Sequence, residues 1–184
     1  DAIFIHDAVT GAILDANRKM EEIYGYTGEE ARNLRVEQIS SGQPPYTQDY
    51  ALTRIRQAAA GEPQLFEWLC KDKNGRLFWA EVSLNRAVIG GQESVLAIVR
   101  DTTARKQAEE EINTTIAFLE NTIASSVDPI AIVDKHGRFT RWNQAAAEAY
   151  GYSAEGLAGQ TAFDLYADKQ ALGTMLSQLR RDGF

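Results

Sequence analysis

The spacing of apolar residues changes several times along the chain, and each change predicts the start of a new element. Two short apolar runs flank an Asp-containing turn that Gly11 closes, which is typical of a β-hairpin. Helical spacing follows: Asn17 stands where an N-cap belongs, and Met20 and Tyr24 recur on one face. A second short helix is predicted from Thr27, which an acidic residue follows at the capping-box position. The chain therefore opens with a hairpin and two helices.

The next stretch passes from helical to strand-like spacing. Asp49–Ala60 has an amphipathic pattern that places Leu52 and Ile55 inward, and Gly61 ends it. Three runs rich in aromatic and β-branched residues then predict strands: Gln64–Asp72, Arg76–Arg86 and Ser94–Arg100. Asn-Gly and Gly-Gly turns join them. This order of elements predicts an α+β domain with helices packed on one face of an antiparallel sheet.

The opening pattern occurs twice, which determines the domain plan. Asn17 and Tyr24 match Asn143 and Tyr150 at an offset of 126. The second copy, 127–184, stops where its last three strands should begin. We predict that it is incomplete, because two strands alone would leave open edges and an apolar face in water. The alternative hypothesis is that a neighbouring chain completes the sheet, which a monodisperse monomer would exclude.

Residues 103–126 are polar and helix-prone, with one apolar stripe. Its members are spaced by four, four, three and four residues: Ala108, Ile112, Ile116, Leu119 and Ile123. At about 1.5 Å per residue, a helix of this length would reach roughly 36 Å. We expect a rigid rod whose stripe forms a parallel coiled coil between two chains, with all members but Ala108 as dimer contacts. The alternative is an amphipathic helix packed on its own domain.

Several motifs occur in the order found in one known family. They are the YGYT and YGYS helix ends, the FEW and KDKNGRLFWAEVSL hairpin segments and the closing RDTTARKQAEE. In these motifs the chain resembles the PAS family with its C-terminal PAC signature, over residues 1–104 fully and 127–184 in part. The resemblance implies a five-stranded antiparallel sheet, in the strand order 2-1-5-4-3, that cups a small pocket beneath the helices. It divides the chain into a PAS domain at 1–102, a helical linker at 103–126 and the N-terminal part of a second PAS domain at 127–184.

Strand alternation assigns the apolar positions of the predicted sheet to the face that meets the helices. Together with the resemblance, it predicts a ligand pocket lined by Phe4, His6, Met20, Tyr24, Leu52, Ile55, Phe66, Trp68, Cys70, Phe78, Ala80, Val82, Val95, Ala97 and Val99. His6 is the polar candidate, and the alternative is a hydrogen-bonded structural histidine. Cys70 should behave as a small hydrophobe with a raised thiol pKa. Trp79 belongs to the opposite face, where it suits a dimer contact or a flanking helix.

Asp101, Thr102 and Thr103 join the last predicted strand to the linker helix. They resemble the closing Asp-x-Thr motif of the family. A hydroxyl at a helix start caps free backbone amides, and an aspartate there favours the positive end of the helix dipole. The resemblance implies that strain in the last strand is felt by the linker, so we assign these three residues to signal relay. A plain helix cap is the alternative.

Two cofactors common in the family do not fit this sequence. Flavin-binding members carry an Asn-Cys-Arg-Phe-Leu-Gln run before the long helix, whereas this chain has LRVEQISSGQPPY there, without a cysteine. Haem-binding members usually place a histidine on the long helix, and residues 49–60 contain none. The resemblance therefore argues against flavin and haem and leaves the identity of any cofactor open.

Composition narrows the classes of partner and activity. The 184 residues carry a formal charge of −7 with scattered basic residues, which opposes binding to nucleic acid. No apolar run is long enough to span a bilayer, so we expect no membrane contact in this segment and a cytoplasmic location. There is no catalytic motif, no phosphate-binding glycine loop and no metal-ligand spacing. We predict that the segment is not an enzyme and holds no metal.

These observations predict a sensory input and dimerisation module of a multidomain signalling protein. The resemblance implies an output domain in the same chain, of the histidine kinase or cyclic-dinucleotide class. In the first hypothesis, a small ligand fills the pocket under Trp68 and His6 and changes the state of the linker in a homodimer. In the second, Phe66, Trp68 and Phe78 fill the core themselves, and the domain is a ligand-free scaffold for protein–protein interaction.

Overall fold

Five strands near the start of the chain form one antiparallel sheet. The computed structural model describes residues 1–153, 156–157, 160–165 and 169–181. The strands are β1 (Ala2–Asp7), β2 (Ile13–Ala16), β3 (Gln64–Lys71), β4 (Leu77–Ile89) and β5 (Gln92–Asp101). They pair in the order β2-β1-β5-β4-β3. The strand order that the resemblance implied is confirmed, and so is the α+β class.

The hairpin of β4 and β5 is longer than the sequence pattern predicted. Pairing continues until Ile89 stands opposite Gln92. Only Gly90 and Gly91 remain for the turn, and both have positive φ, at 60° and 80°. A two-residue turn of this kind matches the right-handed twist of its strands, so the ladder continues up to the turn.

Side-chain caps determine where the helices of this unit begin. The helices are α1 (Arg18–Tyr24), α2 (Gly28–Ala31), a 3-10 helix (Val36–Ile39) and α3 (Gln48–Ala59). Asn17 caps α1, and Thr27 forms a capping box with Glu30 on α2, as the sequence predicted. α3 starts one residue earlier than predicted because the Thr47 hydroxyl accepts from the backbone N–H of Tyr50.

The core of this unit lies between the inner face of the sheet and the helices. Tyr24 is fully buried and meets Phe4 and Phe78 edge to face, with ring centres 5.4 and 5.1 Å apart. Such ring pairs add to the free energy that burial of their apolar area provides. Tyr24 therefore ties α1 to β1 and β4 in a single core.

The chain divides into two compact units, Asp1–Glu110 and Glu111–Phe184. The predicted linker helix is present as α4 (Thr103–Ser125), which crosses this division and, in the part of the chain described, buries none of its side chains. The second unit contains β6 (Ala131–Val133), β7 (Phe139–Trp142), α5 (Gln144–Tyr150), α6 (Ala162–Leu165) and α7 (Lys169–Arg181). β6 and β7 form an antiparallel pair. Residues 154–155, 158–159, 166–168 and 182–184 of the predicted second domain lie outside the described residues.

Candidate functional site

A cavity of about 60 Å³ lies on the inner face of the five-stranded sheet, under the helices. It is lined by Phe4, His6, Tyr24, Val36, Ile39, Ser40, Ala51, Ile55, Phe66, Trp68, Cys70, Val82, Leu84, Ala97 and Val99. On the same measure of volume, one water molecule needs about 10–15 Å³. The cavity therefore has room for a molecule of only a few heavy atoms.

Most of the predicted pocket residues border this cavity: Phe4, His6, Tyr24, Ile55, Phe66, Trp68, Cys70, Val82, Ala97 and Val99. Met20, Phe78, Ala80 and Val95 do not border it, although none of them is more than 1% exposed. Alternation assigned them to the correct, buried face. They do not line the cavity because neighbouring side chains pack directly against them and leave no free volume beside them.

Leu52 does not border the cavity either, because α3 is rotated from the predicted orientation. Leu52 is half-buried and packs over the β1–β2 turn, where a Cβ on Gly11 would clash with the Leu52 Cδ2 atom. Ala51 is turned inward instead and is 6% exposed. The residues of the lining outside the predicted pocket are Val36, Ile39, Ser40, Ala51 and Leu84, of which strand alternation had placed Leu84 on this face of the sheet. Three of these precede α3 in a segment without periodicity, so no pattern predicted their burial.

His6 lines the cavity and is 4% exposed. Its Nδ1 atom lies 2.9 Å from the carbonyl oxygen of Gly11, which can only accept, so Nδ1 carries the proton. Burial lowers the pKa of His6 more than this hydrogen bond raises it. His6 is therefore neutral at pH 7. Its Nε2 atom is left as a hydrogen-bond acceptor that has no partner among the described residues.

We expect the first unit to lose stability as the pH falls below about 6.5 because of His6. The folded pKa lies below the ordinary value of 6.5, so the unfolded chain binds the proton first as the pH falls. The contribution of His6 is complete above this value and is lost toward the folded pKa, at up to about 1.4 kcal/mol per pH unit. Urea unfolding of the Trp142→Phe protein, followed by the fluorescence of Trp68 and Trp79, measures the effect in the first unit.

Two further variants identify the source of this pH dependence. His6→Asn keeps a side-chain N–H for the Gly11 carbonyl but does not titrate in this range, so most of the slope should disappear. His136→Gln changes an exposed histidine of the second unit and should leave the slope unchanged. A slope that persists in the His6→Asn protein would contradict the assignment.

The other polar groups of the lining are bonded within the protein. Trp68 Nε1–H donates to Ser40 Oγ at 2.8 Å, and the Ser40 hydroxyl donates to the Val36 carbonyl at 2.7 Å. The Tyr24 hydroxyl donates to Cys70 Sγ at 3.2 Å. Burial raises the pKa of the Cys70 thiol to about 12 and raises the pKa of Tyr24 well above its usual value. The cavity wall is therefore neutral, and Cys70 stays protonated at physiological pH.

Arg54 fastens α3 to β3 beside the cavity. Its guanidinium carbon lies 4.9 Å from the ring centre of Tyr50 and 5.3 Å from that of Phe66, and its Nη1 atom donates to Gln64 at 2.8 Å. Its Nε atom is buried and has no hydrogen-bond partner in the described part of the chain. Sequence reasoning missed this contact. The available signal was the four-residue spacing of Tyr50 and Arg54, which places both on one side of a helix.

The predicted relay residues attach the start of α4 to β4. The backbone N–H of Trp79 donates to Thr103 Oγ1 at 3.0 Å, and the backbone N–H of Thr102 donates to the Trp79 carbonyl at 2.8 Å. Asp101 Oδ1 accepts from the backbone N–H of Thr103 at 2.9 Å. Trp79 belongs to β4 and not to β5, the strand that leads into the helix. These bonds therefore do more than cap α4: they join it to a second strand.

Lys106 attaches the first turn of α4 to the outer face of the sheet. Its Nζ atom lies 2.8 Å from the Glu67 carboxylate and 4.5 Å from the ring centre of Trp79. The sequence placed Trp79 on this face but did not assign Lys106. Glu67 and Trp68 are successive residues of β3, so this strand carries the helix contact on one face and the cavity wall on the other.

The cavity and the described residues limit which groups this chain can hold. An apolar cavity of about 150 Å³ is known to bind benzene, so a flavin or a haem would fit only if the helices moved away from the sheet. Within the described residues, no group of three or more His, Cys, Asp or Glu side chains could hold a metal ion. None of the described helices is both long and apolar enough to cross a bilayer.

Known proteins similar to this chain include a sensor histidine kinase and several solved domains. The Sensor histidine kinase TmoS of Ectopseudomonas mendocina is 33% identical over 104 residues, which are 55% of this chain and 10% of the kinase. A solved domain of the sensory box sensor histidine kinase/response regulator from Geobacter sulfurreducens is 30% identical, with a TM-score of 0.46 over 55% of this chain and 82% of the solved one. The PAS domain of an HTR-like protein from Haloarcula marismortui is 26% identical, with a TM-score of 0.48 over 55% and 85%. The chain spans about a tenth of the length of the curated kinase that it matches.

Two family models cover both units. A model described as "PAS domain" matches residues 1–104, and one described as "PAS fold" matches residues 117–183. The first model alone covers more than half of the chain. The chain therefore belongs to the PAS domain family, and its first unit is a PAS sensory domain that resembles those of sensor histidine kinases.

Proposed function

We propose that this chain is the sensory input and dimerisation module of a multidomain signalling protein with a histidine kinase or cyclic-dinucleotide output domain. The similarity to a sensor histidine kinase supports the kinase class. The observation that carries the proposal is that two residues of α4 attach this helix to the sheet. Thr103 is bonded to Trp79 on β4, and Lys106 contacts Glu67 on β3 and the ring of Trp79. A helix held by the sheet at its first turn moves when the sheet moves.

The strand β3 is the element that would couple the cavity to α4. Trp68 lines the cavity, and Glu67, the residue before it, holds Lys106 on the other face. On β4, Trp79 pairs with Leu69, the residue after Trp68. A ligand that displaces Trp68 would therefore shift both partners of Lys106, and the first turn of α4 would follow.

The chemistry of the cavity supports a small, mostly apolar ligand with one hydrogen-bond donor. The donor would bind to Nε2 of His6, the acceptor for which the described residues offer no partner. The remaining lining is apolar or already bonded within the protein. Such a ligand would favour the arrangement of β3 that it binds more tightly, by as much as its affinity differs between the two arrangements.

A ligand-free scaffold is the second candidate function, and one observation favours it. The free volume is only about 60 Å³, as a core that is filled by its own side chains would leave. In this role the bonds of Thr103 and Lys106 would hold α4 at a constant angle to the sheet. The domain would then keep two chains in register without responding to a ligand.

Native mass spectrometry of the purified protein should separate these two functions. For a sensor we expect a small co-purifying mass, or a melting temperature that rises with one member of a metabolite panel. Ala97→Leu fills the cavity from β5 and should abolish either response, at a cost of about 1–3 kcal/mol for overpacking. Ala87→Leu, on a half-buried residue of β4 that does not line the cavity, is the matched control. A wild-type protein that is empty and indifferent to the panel would support the scaffold.

The apolar stripe of α4 supports dimerisation. Ile112, Ile116 and Leu119 are 59%, 47% and 52% exposed, so the described part of the chain leaves this face open to water. These fractions argue against the alternative in which the helix packs on its own domain. A second copy in parallel orientation would cover all three side chains, because they follow the spacing of a coiled-coil seam.

A further inference from the structure

We propose that Asn143 is the residue through which the end of α4 acts on β6 and α5 of the second unit. This inference rests on the relay proposed above and names the residue that receives it. Asn143 lies between β7 and α5 and is 4% exposed. Its side chain is bonded to the end of α4, to the residue before β6 and to the first turn of α5.

Both ends of the Asn143 amide are used. Oδ1 accepts from the backbone N–H groups of Ile130 at 2.8 Å and Ala146 at 2.9 Å. Nδ2 donates to the carbonyls of Ile123 at 3.1 Å and Asp128 at 2.9 Å, with the Ser126 carbonyl at 3.4 Å. An asparagine amide offers two lone pairs and two N–H groups, so its hydrogen-bonding capacity is filled. The oxygen accepts from Ile130 and from the first turn of α5, and the nitrogen donates to carbonyls at the end of α4 and in the segment that follows it.

The nitrogen of Asn143 donates to a carbonyl in the last turn of α4. The last four carbonyls of a helix have no partner within the helix, and Ile123 belongs to the last turn of α4. That turn carries no basic residue that could bond these carbonyls. One turn earlier, Glu120 forms an ion pair with Arg141 on β7 at 2.6 Å. Both contacts hold the end of α4 against the segment that leads into α5.

The matching residue of the first unit, Asn17, makes the corresponding hydrogen bonds. Asn17 Oδ1 also accepts from two backbone N–H groups, those of Ile3 and Met20, both at 3.0 Å. Its Nδ2 atom donates to the carbonyl of Asp1 at 3.1 Å, as Asn143 Nδ2 donates to the carbonyl of Asp128, the matching residue of the repeat. Both sides of the amide are therefore used in the same way in the two copies of the repeat. Asn17 provides an internal control for Asn143.

The two ends of α4 are thus bonded to different groups. Its first turn is held by the first sheet through Thr103 and Lys106, and its last turn is held by Asn143. A shift of the helix would move the amide of Asn143. The same amide bonds the first turn of α5 and the N–H of Ile130 next to β6, so the shift would reach both elements.

The variant Asn143→Asp tests this role of Asn143 with little change to the cap. Aspartate caps α5 as well as asparagine does, but it places a carboxylate oxygen where Nδ2 met three carbonyls. We expect the backbone amides in the last turn of α4 to exchange hydrogen about tenfold faster, the effect of one lost hydrogen bond, with α5 unchanged. Hydrogen exchange of the whole chain, measured by NMR, gives both values. Asn17→Asp should leave the last turn of α4 as it is.

A second perturbation tests whether Asn143 transmits. Thr103→Val removes the hydroxyl that accepts from Trp79 and disturbs α4 at its other end. We expect this variant to change amide exchange in α5 in the wild-type background and not in the Asn143→Asp background. If Thr103→Val leaves α5 unchanged in both backgrounds, the relay itself fails. If the response of α5 persists in the Asn143→Asp background, the relay stands and the role of Asn143 is wrong.

A third variant distinguishes a general loss of structure in the second unit from the loss of this one contact. Asn143→Ser also keeps a capping oxygen and lacks the amide nitrogen. If both Asn143→Asp and Asn143→Ser lose protection throughout the second unit, Asn143 is a general structural residue and the proposal is overturned. If only the last turn of α4 loses protection in both, the proposal is supported.

Discussion

Replacing Trp68 with alanine is expected to lower the free energy of unfolding of the first unit by about 3–5 kcal/mol. Trp68 is 4% exposed, and its ring packs edge to face on Tyr46 and Phe66 at 5.4 and 5.6 Å. The substitution also removes the donor to Ser40 and enlarges the cavity by the volume of an indole. Urea unfolding followed by circular dichroism measures the loss. Millimolar indole should restore part of it, because an apolar cavity of this size binds an aromatic ring.

Trp79→Ala is the matched control for this prediction. Trp79 is half-buried on the opposite face of the neighbouring strand, so its removal should cost on the order of 1 kcal/mol. Amide exchange should instead increase in the first turn of α4, because Lys106 loses the ring that it covers. Equal stability losses for the two tryptophans, or rescue of Trp79→Ala by indole, would contradict the different roles assigned to the two faces.

The faces and pairing of the strands were predictable because they depend on local rules. Alternation placed Trp68 inward and Trp79 outward, and the Gly90-Gly91 turn joined β4 to β5. The register followed once the turns were fixed, since a shift by one residue would turn every apolar side chain of a strand to water. The strand order came from the resemblance to a family and not from periodicity.

The shape of the cavity was not predictable in this way. Periodicity separates buried from exposed positions, but it does not tell which buried side chains border free volume. Met20 and Val95 are as buried as any residue of the lining, yet they lie away from the cavity. The segment before α3 has no period, but it runs along the edge of β3, where the N–H of Ser41 donates to the Leu69 carbonyl at 2.9 Å. Only the tertiary structure brings Ser40 to the indole of Trp68.

Of the Asn143 contacts, only those of the side-chain oxygen were predictable from the sequence. The N-cap rule anticipated that its oxygen would accept from the first turn of α5, as it did for Asn17 and α1. Its nitrogen meets carbonyls that precede it by 15 to 20 residues, at Asp128, Ser126 and Ile123. No local pattern contains that information. The repeat predicted that the two asparagines are equivalent, and their nitrogens indeed donate to the carbonyls of the matching residues Asp1 and Asp128.

Replacing Ile116 with glutamate is expected to weaken self-association at least a hundredfold. In a parallel coiled coil each seam residue faces its symmetry mate, so the change places two like charges in contact and removes two apolar side chains from the seam. A hundredfold change in the dissociation constant corresponds to about 2.7 kcal/mol, and burial of one isoleucine is worth about 1.5–3 kcal/mol. Sedimentation equilibrium over a range of protein concentrations measures the dissociation constant.

Phe118→Glu is the control that separates a seam from a charge effect. Phe118 is 68% exposed on α4, more than Ile116, and at about 100° per residue it is turned by about 200° from Ile116 and by about 100° from Leu119. The same change of an apolar residue to a carboxylate should therefore leave the dimer intact. If both variants dissociate equally, added negative charge on a chain of net charge −7 explains the effect and the stripe is not the interface. If the wild-type protein is monomeric at every concentration, α4 would have to act within a single chain, and exposed Ile112, Ile116 and Leu119 would need another partner.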